Sequence, residues 1–232
     1  MWKALALKEI RECLVIALVA LAVSFYLVAR NTGWESGTFG LMIESLAQLG
    51  GLNFYGRSPD AIPFVASEFI GQLNLVLALF AMTLGFRQSV GESLHGTYPL
   101  LLHLPVSRTR LMAAKVTLGL GVYLVCGAVP ILVYSLWAAT PGTHASPFYW
   151  SMTAPVWMAW LAMSCLYLAA FLSGLRPARW YGSRLAPLAA GLPALFVTFG
   201  TGLSWWSVLF VTLTIVLLVA SIRLVAQERD FG

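Results

Sequence analysis

The stretch that decides how this chain is organised is residues 86–115, which read FRQSVGESLHGTYPLLLHLPVSRTRLMAAK. It joins two long apolar segments and combines charged residues with glycine, proline and short amphipathic runs. A protein that lies mostly in a membrane keeps few residues available to soluble partners. Because this connection gathers them, it is the first candidate for a surface on which another protein acts.

The composition of the whole chain fixes its class. Hydrophobic residues make up 59% of the 232 residues and charged residues only 10%. A soluble domain carries roughly 25% charged residues, so this chain cannot cover a water-facing surface. Backbone polar groups must be satisfied inside lipid, which favours helices, and the alternating pattern of a membrane β-barrel is absent. The sequence therefore predicts an all-α membrane protein that forms a single transmembrane domain over residues 1–232.

Hydrophobic runs close to the roughly 20 residues that a bilayer requires predict six spans. They cover residues 14–28, 63–86, 111–138, 151–175, 185–200 and 207–226. The first span follows a basic N-terminus but has no small-residue cleavage site after it, so we expect a retained helix. Pro187 and Pro193 lie in the fifth span, which we expect to be broken or tilted. We expect residues 200–206 to form a tight outer connection.

The basic residues predict the orientation. Most of them fall on one side of the six spans: Lys3, Lys8, Arg11, Arg87, Arg108, Arg110, Lys115, Arg176, Arg179, Arg184, Arg223 and Arg229. Only Arg30 and Arg57 fall on the other side. Basic residues accumulate on the cytoplasmic side, so we expect a plasma-membrane protein with both termini in the cytoplasm. The net charge of +5 then reflects topology and contact with membrane lipid. Nucleic-acid binding would need a basic, aromatic face on a soluble module, and we expect none.

Residues 1–13 have the pattern of an interfacial helix that lies along the membrane surface. Apolar residues share one helical face there, namely Trp2, Ala6, Ile10 and Cys13. Charged residues face away from it, namely Lys8, Arg11 and Glu12. This pattern is typical of helices that lie in the headgroup region. The alternative is a plain start to the first span.

Motifs for catalysis, metals and nucleotides are missing from the sequence. No Walker A motif occurs, and Cys13, Cys126 and Cys165 lie far apart in apolar helices, where packing is the simplest role. His95 and His103 share the 86–115 connection without metal-ligand spacing. We therefore expect no catalytic residue, metal site or cofactor in this chain, and no enzyme. If ATP drives its action, another chain must bind the nucleotide.

Polar residues within the second span form a second candidate group. Glu68, Gln72 and Asn74 could line a polar pathway. Alternatively, Glu68 reaches the interface while Gln72 and Asn74 make hydrogen bonds between helices.

The coupling loop, residues 87–110, has a readable local order. Glu92 precedes Gly96-Thr97, leucines follow at helical spacing, and Pro105 ends that run. Ser107 can cap a new helix that begins with Arg108. These signals predict two short helices parallel to the membrane and bent at Pro105. The alternative is an ordinary basic connection held to anionic headgroups.

These residues resemble the cytoplasmic signature of a known family. Glu92, Gly96-Thr97, Leu100-Leu101, Leu104-Pro105-Val106-Ser107-Arg108, Leu111 and Lys115 are similar to the corresponding stretch of type-2 ABC exporter permeases. The resemblance covers the whole chain in layout and about thirty residues in motif. It implies six helices, an N-terminal interfacial helix and a cytoplasmic coupling helix between spans two and three. Tyr98-Pro99 stands where the family commonly has an acidic residue two positions after the threonine.

The resemblance also implies partners and a function. The chain would be the membrane subunit of an ATP-driven exporter, paired with a second copy or a related permease. ABC ATPase subunits, which bind the ATP and Mg²⁺, would dock on the coupling residues Glu92, Gly96, Thr97, Leu104, Pro105, Ser107 and Arg108. Its apolar spans favour an amphipathic or lipid-like substrate. A non-transporting membrane scaffold or assembly factor is the alternative.

Overall fold

In a computed structural model, the chain forms six α-helices within the residues that the structure describes, 2–32, 62–65, 68–94, 108–144, 146–176 and 181–228. These helices are α1 (Trp2–Thr32), α2 (Glu68–Leu94), α3 (Arg108–Ala139), α4 (Ala154–Leu175), α5 (Tyr181–Thr201) and α6 (Trp205–Glu228). A one-turn 3-10 helix, Trp150–Thr153, leads into α4. No strand occurs in the described residues.

All six helices contain a stretch that is long and apolar enough to cross a bilayer. A helix satisfies its own backbone hydrogen bonds, so it can sit in lipid where water is absent. Many large apolar side chains on α1, α5 and α6 point outward, among them Val15, Phe196 and Leu217. The prediction of an all-α, multi-pass membrane protein with six spans is confirmed.

The bounds of the second helix differ from the prediction at both ends. Pro63 and Phe64 form a turn, in which the Val65 amide donates to the Ile62 carbonyl at 3.1 Å and Phe64 has a φ of 63°. The helix therefore begins at Glu68 rather than at residue 63. At its other end it continues to Leu94 instead of stopping at residue 86, because Gln88 and Ser89 are buried against neighbouring helices. The predicted loop is correspondingly shorter.

Contacts between helix ends show which ends lie on the same side of the bundle. The start of α1 meets the start of α3 through Glu9 and Lys115, and Arg184 near the start of α5 donates to the Gly174 carbonyl near the end of α4. We call this end of the bundle the basic end. Its described cations are Lys8, Arg11, Arg87, Arg110, Lys115, Arg176, Arg184 and Arg223. At the opposite end the described part of the chain has only Arg30, so the two ends differ strongly in charge.

Helix α4 is the centre of the bundle. It packs against α2, α3, α5 and α6, and 89% of its most apolar 18-residue stretch is buried inside the bundle. It contains no charged residue, as expected for a helix that is surrounded by other helices. A movement of α4 would therefore be felt by four of the other five helices.

Aromatic side chains hold the opposite end together. The Tyr134 ring of α3 lies 4.9 Å from Phe64 and 4.1 Å from Phe69 between ring centroids. Phe148, in the connection before α4, lies 6.2 Å from Phe64. These contacts pin the start of α2 to the end of α3.

The fifth helix runs without a break through Pro187 and Pro193, so the span is not broken; the alternative of a tilted span stays a prediction. A short link with Gly202 at a φ of 61° follows it. Ser204 then caps α6 by a reciprocal pair of bonds, in which the Ser207 amide donates to Ser204 Oγ at 3.2 Å and the Ser204 amide to Ser207 Oγ at 3.1 Å. This capping box explains why so short a connection can start a new helix.

The N-terminal segment is continuous with the first span. Helix α1 runs from Trp2 to Thr32 as one element, which is what the alternative of a plain start predicts. Of the predicted apolar face, Ile10 is exposed and Cys13 is buried, and Glu9 is buried together with Cys13, so the interfacial position of this segment stays a prediction. Residues 9 and 13 are four apart and therefore share a helical face.

Candidate functional site

A buried ion pair between Glu9 of α1 and Lys115 of α3 lies at the basic end. Lys115 Nζ is 2.7 Å from Glu9 Oε1, and both side chains are 0% exposed. Breaking such a buried pair by removing one partner typically costs about 3–5 kcal/mol, because the other charge is left uncompensated. The sequence assigns Lys115 to the basic side of the spans, and the structure adds that its side chain is buried between helices.

Gln88 of α2 extends this pair to a second interface. Its amide nitrogen lies 3.5 Å from Glu9 Oε2 and 3.5 Å from the Lys115 carbonyl oxygen. A glutamine amide has two hydrogens to donate, so Gln88 can satisfy both acceptors. The end of α2 is thereby joined to the start of α1 and the start of α3.

Tyr167 brings the central helix α4 into the same cluster. Its hydroxyl donates to Gln88 Oε1 at 2.6 Å and lies 3.2 Å from the Val116 carbonyl oxygen. Both Tyr167 and Gln88 are fully buried. Glu9, Gln88, Lys115 and Tyr167 therefore form a polar cluster to which four helices each contribute one residue. We call these four residues the polar cluster.

Small residues make room for the polar cluster. A Cβ atom at Gly119 would overlap both Gln88 Oε1 and the Tyr167 hydroxyl, so the cluster requires a glycine there. Along the seam between α2 and α4, a Cβ at Gly85 would lie 2.5 Å from the Tyr167 carbonyl oxygen and 2.9 Å from Ala170 Cβ. A Cβ at Gly174 would overlap Ser89 Oγ. Such close approach at small residues is a common way in which membrane helices pack.

Two of the predicted coupling residues lie in helices that contribute to the polar cluster, although their side chains are outside the described residues. Glu92 lies in the last turn of α2, and Arg108 is the first residue of α3. Gly96, Thr97, Leu104, Pro105 and Ser107 lie outside the described residues. The polar cluster thus holds together the two helices whose ends lead into the 95–107 connection.

The predicted polar pathway is only partly described. Glu68 is the first residue of α2, and its side chain lies outside the described residues. Gln72 is half-buried, and Asn74 is buried with its Oδ1 lacking a hydrogen-bond partner in the described part of the chain. The expected hydrogen bond between helices is therefore not formed by that oxygen.

Metal-binding groups do not converge in the described ranges, where no three His, Cys, Asp or Glu residues lie together. His95 and His103 fall in the gap between residues 94 and 108. Cys13, Cys126 and Cys165 are free thiols on three different helices.

Sequence reasoning missed Glu9 as a member of the site. Its neighbours Lys8, Arg11 and Glu12 are charged, which suggests a solvated segment. The available signal was that Glu9 lies four and eight residues before the small apolar residues Cys13 and Ala17, on the same helical face. In the structure all three are buried.

Comparisons of this chain with protein-family models, with curated proteins and with solved structures found no match. Any assignment of function to this six-helix membrane protein therefore has to come from its own residues: the polar cluster, the charge asymmetry between the two ends, and the motif of the 95–107 connection.

Proposed function

We propose that this chain is the membrane-spanning permease subunit of an ATP-driven ABC exporter, with the energy supplied by a separate ATPase subunit. The observation that carries the proposal is the polar cluster. It fixes the end of α2 and the start of α3, which flank the 95–107 connection, to α1 and to the central helix α4. The family-like motif, which extends from Glu92 to Lys115, spans that same connection and the two helix ends beside it.

The polar cluster provides a mechanical reason for this role. A partner that presses on residues 95–107 acts on α2 and α3 together, because a buried ion pair and its hydrogen bonds oppose their separation. The force then reaches α4 through Tyr167 and through the tight α2–α4 seam. A displacement at the surface is thus transmitted into the bundle instead of being absorbed by the connection.

The proposed complex contains two permease subunits and two ATPase subunits that bind ATP and Mg²⁺. The accumulation of cations at the basic end favours a cytoplasmic position for that end, which would place both termini and the coupling helix in reach of the ATPases. Residues 1–13 would lie at the same surface. The apolar outer faces of the helices favour an amphipathic or lipid-like substrate.

Purification in a mild detergent tests the proposal. We expect an ATPase subunit to co-elute with the chain, and its ATP hydrolysis to depend on the chain. Arg108→Glu and Gly96→Pro should reduce this dependence while the protein still inserts in the membrane. Arg223→Gln, an exposed position at the end of α6, serves as the matched control.

The main alternative is a non-transporting membrane scaffold or assembly factor. A scaffold would have the same topology and the same stability as the proposed permease, but no ATPase would be present in the purified complex. Unchanged hydrolysis in both connection variants, with the ATPase still bound, would remove the assigned coupling role of residues 92–108.

A further inference from the structure

A cavity of about 420 Å³ lies between α4, α5 and α6 near the basic end. This volume falls in the range of small-molecule pockets, roughly 300–1,000 Å³. Arg176, directly after the last residue of α4, is the one charged residue among the described residues that line it. The other lining residues, apart from Thr214 and Ser221, are apolar.

Small side chains on α5 keep this cavity open. Ala186 and Ala190 are four residues apart and therefore lie on one face of the helix, and both line the cavity. Leu217 and Leu224 of α6 line the other wall. Two alanines opposite leucines leave space that larger side chains on α5 would fill.

A second apolar site provides a comparison for the chemistry of this cavity. It lies between α1 and α2, has a volume of about 380 Å³, and is lined by apolar residues and Thr83. None of its described lining residues is charged. The two sites are similar in size, and among their described lining residues only the first has a positive charge, that of Arg176.

We propose that the cavity between α4, α5 and α6 binds an anionic phospholipid, with its phosphate on Arg176 and an acyl chain against the apolar walls. Arg176 follows the candidate span Trp150–Leu175, which puts its exposed guanidinium at the height of lipid headgroups. Basic pockets between membrane helices are typical sites for anionic headgroups. The proposal does not rest on the transport function proposed above.

The chemistry of the lining favours a phosphate on Arg176. A guanidinium has five N–H donors in a fixed plane and binds phosphate through two of them at once. Ser221 already donates its hydroxyl to the Leu217 carbonyl at 2.8 Å. Among the described lining residues, Arg176 is the one whose positive charge would favour an anionic headgroup.

Lipid titration of the purified chain in detergent, followed by native mass spectrometry, tests the headgroup. We expect phosphatidylglycerol to bind more tightly than phosphatidylcholine with the same chains. Arg176→Gln should reduce that preference about tenfold, the usual scale for losing a hydrogen bond to a charged group. Arg223→Gln, at the same end but outside the cavity lining, should retain it. A preference unchanged by Arg176→Gln, or lost equally in Arg223→Gln, would overturn the proposal.

Filling each cavity tests the position of the acyl chain. Ala190→Phe should abolish the preferential binding of phosphatidylglycerol, whereas Ala20→Phe, in the groove between α1 and α2, should leave it unchanged.

Glycerol 3-phosphate and diacylglycerol should each fail to compete, because each supplies only half of the ligand. Competition by glycerol 3-phosphate alone would mean a simple phosphate site and would refute the lipid assignment. If Ala190→Phe does not fold, the Arg176→Gln result decides whether the cavity binds an anionic phospholipid.

Discussion

Glu9 and Lys115 are separated by 106 positions in the sequence, yet their charged groups meet at 2.7 Å inside the bundle with no exposure to solvent. A pair of this kind adds little net stability, because removing both ions from water costs about as much as their attraction returns. Such a pair can instead specify how two helices align, and here it joins α1 to α3. Gln88 links α2 to the same pair, so both helices next to the 95–107 connection are held.

The first prediction concerns this pair. Lys115→Met leaves Glu9 buried without its ammonium partner and should destabilise the protein by about 3–5 kcal/mol. The double variant Glu9→Leu with Lys115→Met removes both charges and should recover most of that loss. Unfolding in increasing SDS measures both. If the losses of stability in Lys115→Met alone and in Glu9→Leu alone simply add in the double variant, the two residues do not interact.

The second prediction concerns the space beneath Gln88 and Tyr167. Gly119→Ala introduces a methyl group where both side chains already lie, and overpacking of this kind costs about 1–3 kcal/mol. Gly121→Ala, two residues along the same helix with nothing within 4 Å of its Cβ, should be neutral or slightly stabilising. Equal melting temperatures for the two variants would show that the polar cluster is not packed as described.

The third prediction concerns the seam between α2 and α4. Gly85→Ala places a Cβ against the backbone oxygen of Tyr167, which cannot move aside without displacing α4. It should destabilise the protein by about 1–3 kcal/mol. The matched control on the same helix is Gly71→Ala, where the new Cβ meets nothing. A loss in Gly71→Ala as large as in Gly85→Ala would argue against a close α2–α4 contact.

The fourth prediction connects the polar cluster to function. Tyr167→Phe removes the hydroxyl that joins α4 to Gln88 while retaining the aromatic ring. We expect the complex to assemble and hydrolyse ATP but to transport less substrate per ATP. Tyr123→Phe is the control, because the Tyr123 hydroxyl donates to the Trp160 carbonyl, away from the polar cluster. Transport that falls equally in both variants would assign the effect to packing in general.

The six spans could be predicted from the sequence because hydrophobic length is a local property. The central position of α4 was not predicted, although the sequence contains a signal for it, since α4 is the one described helix without a charged residue. The polar cluster could not be predicted in this way. Whether Glu9 is buried depends on Lys115, Gln88 and Tyr167, and their proximity is a consequence of helix packing.

The extension of α2 to Leu94 has the same origin. Gln88 and Ser89 are polar and mark the end of a span when the sequence is considered alone. In the structure, Gln88 bonds to Glu9, and Ser89 donates to the Gly85 carbonyl at 2.8 Å. Their polar groups are satisfied inside the protein, so the helix continues.

The most direct test of the account is site-specific photo-crosslinking from residue 97 in intact cells, with residue 45 in the 33–61 connection as the matched control. We predict that a crosslinker at position 97 captures a nucleotide-binding chain, and that one at position 45 does not. An impermeant reagent should label a cysteine at position 45, but not one at 97, in a background without Cys13, Cys126 and Cys165. Labelling of position 97 from outside the cell, or the absence of a nucleotide-binding adduct there, would contradict the account.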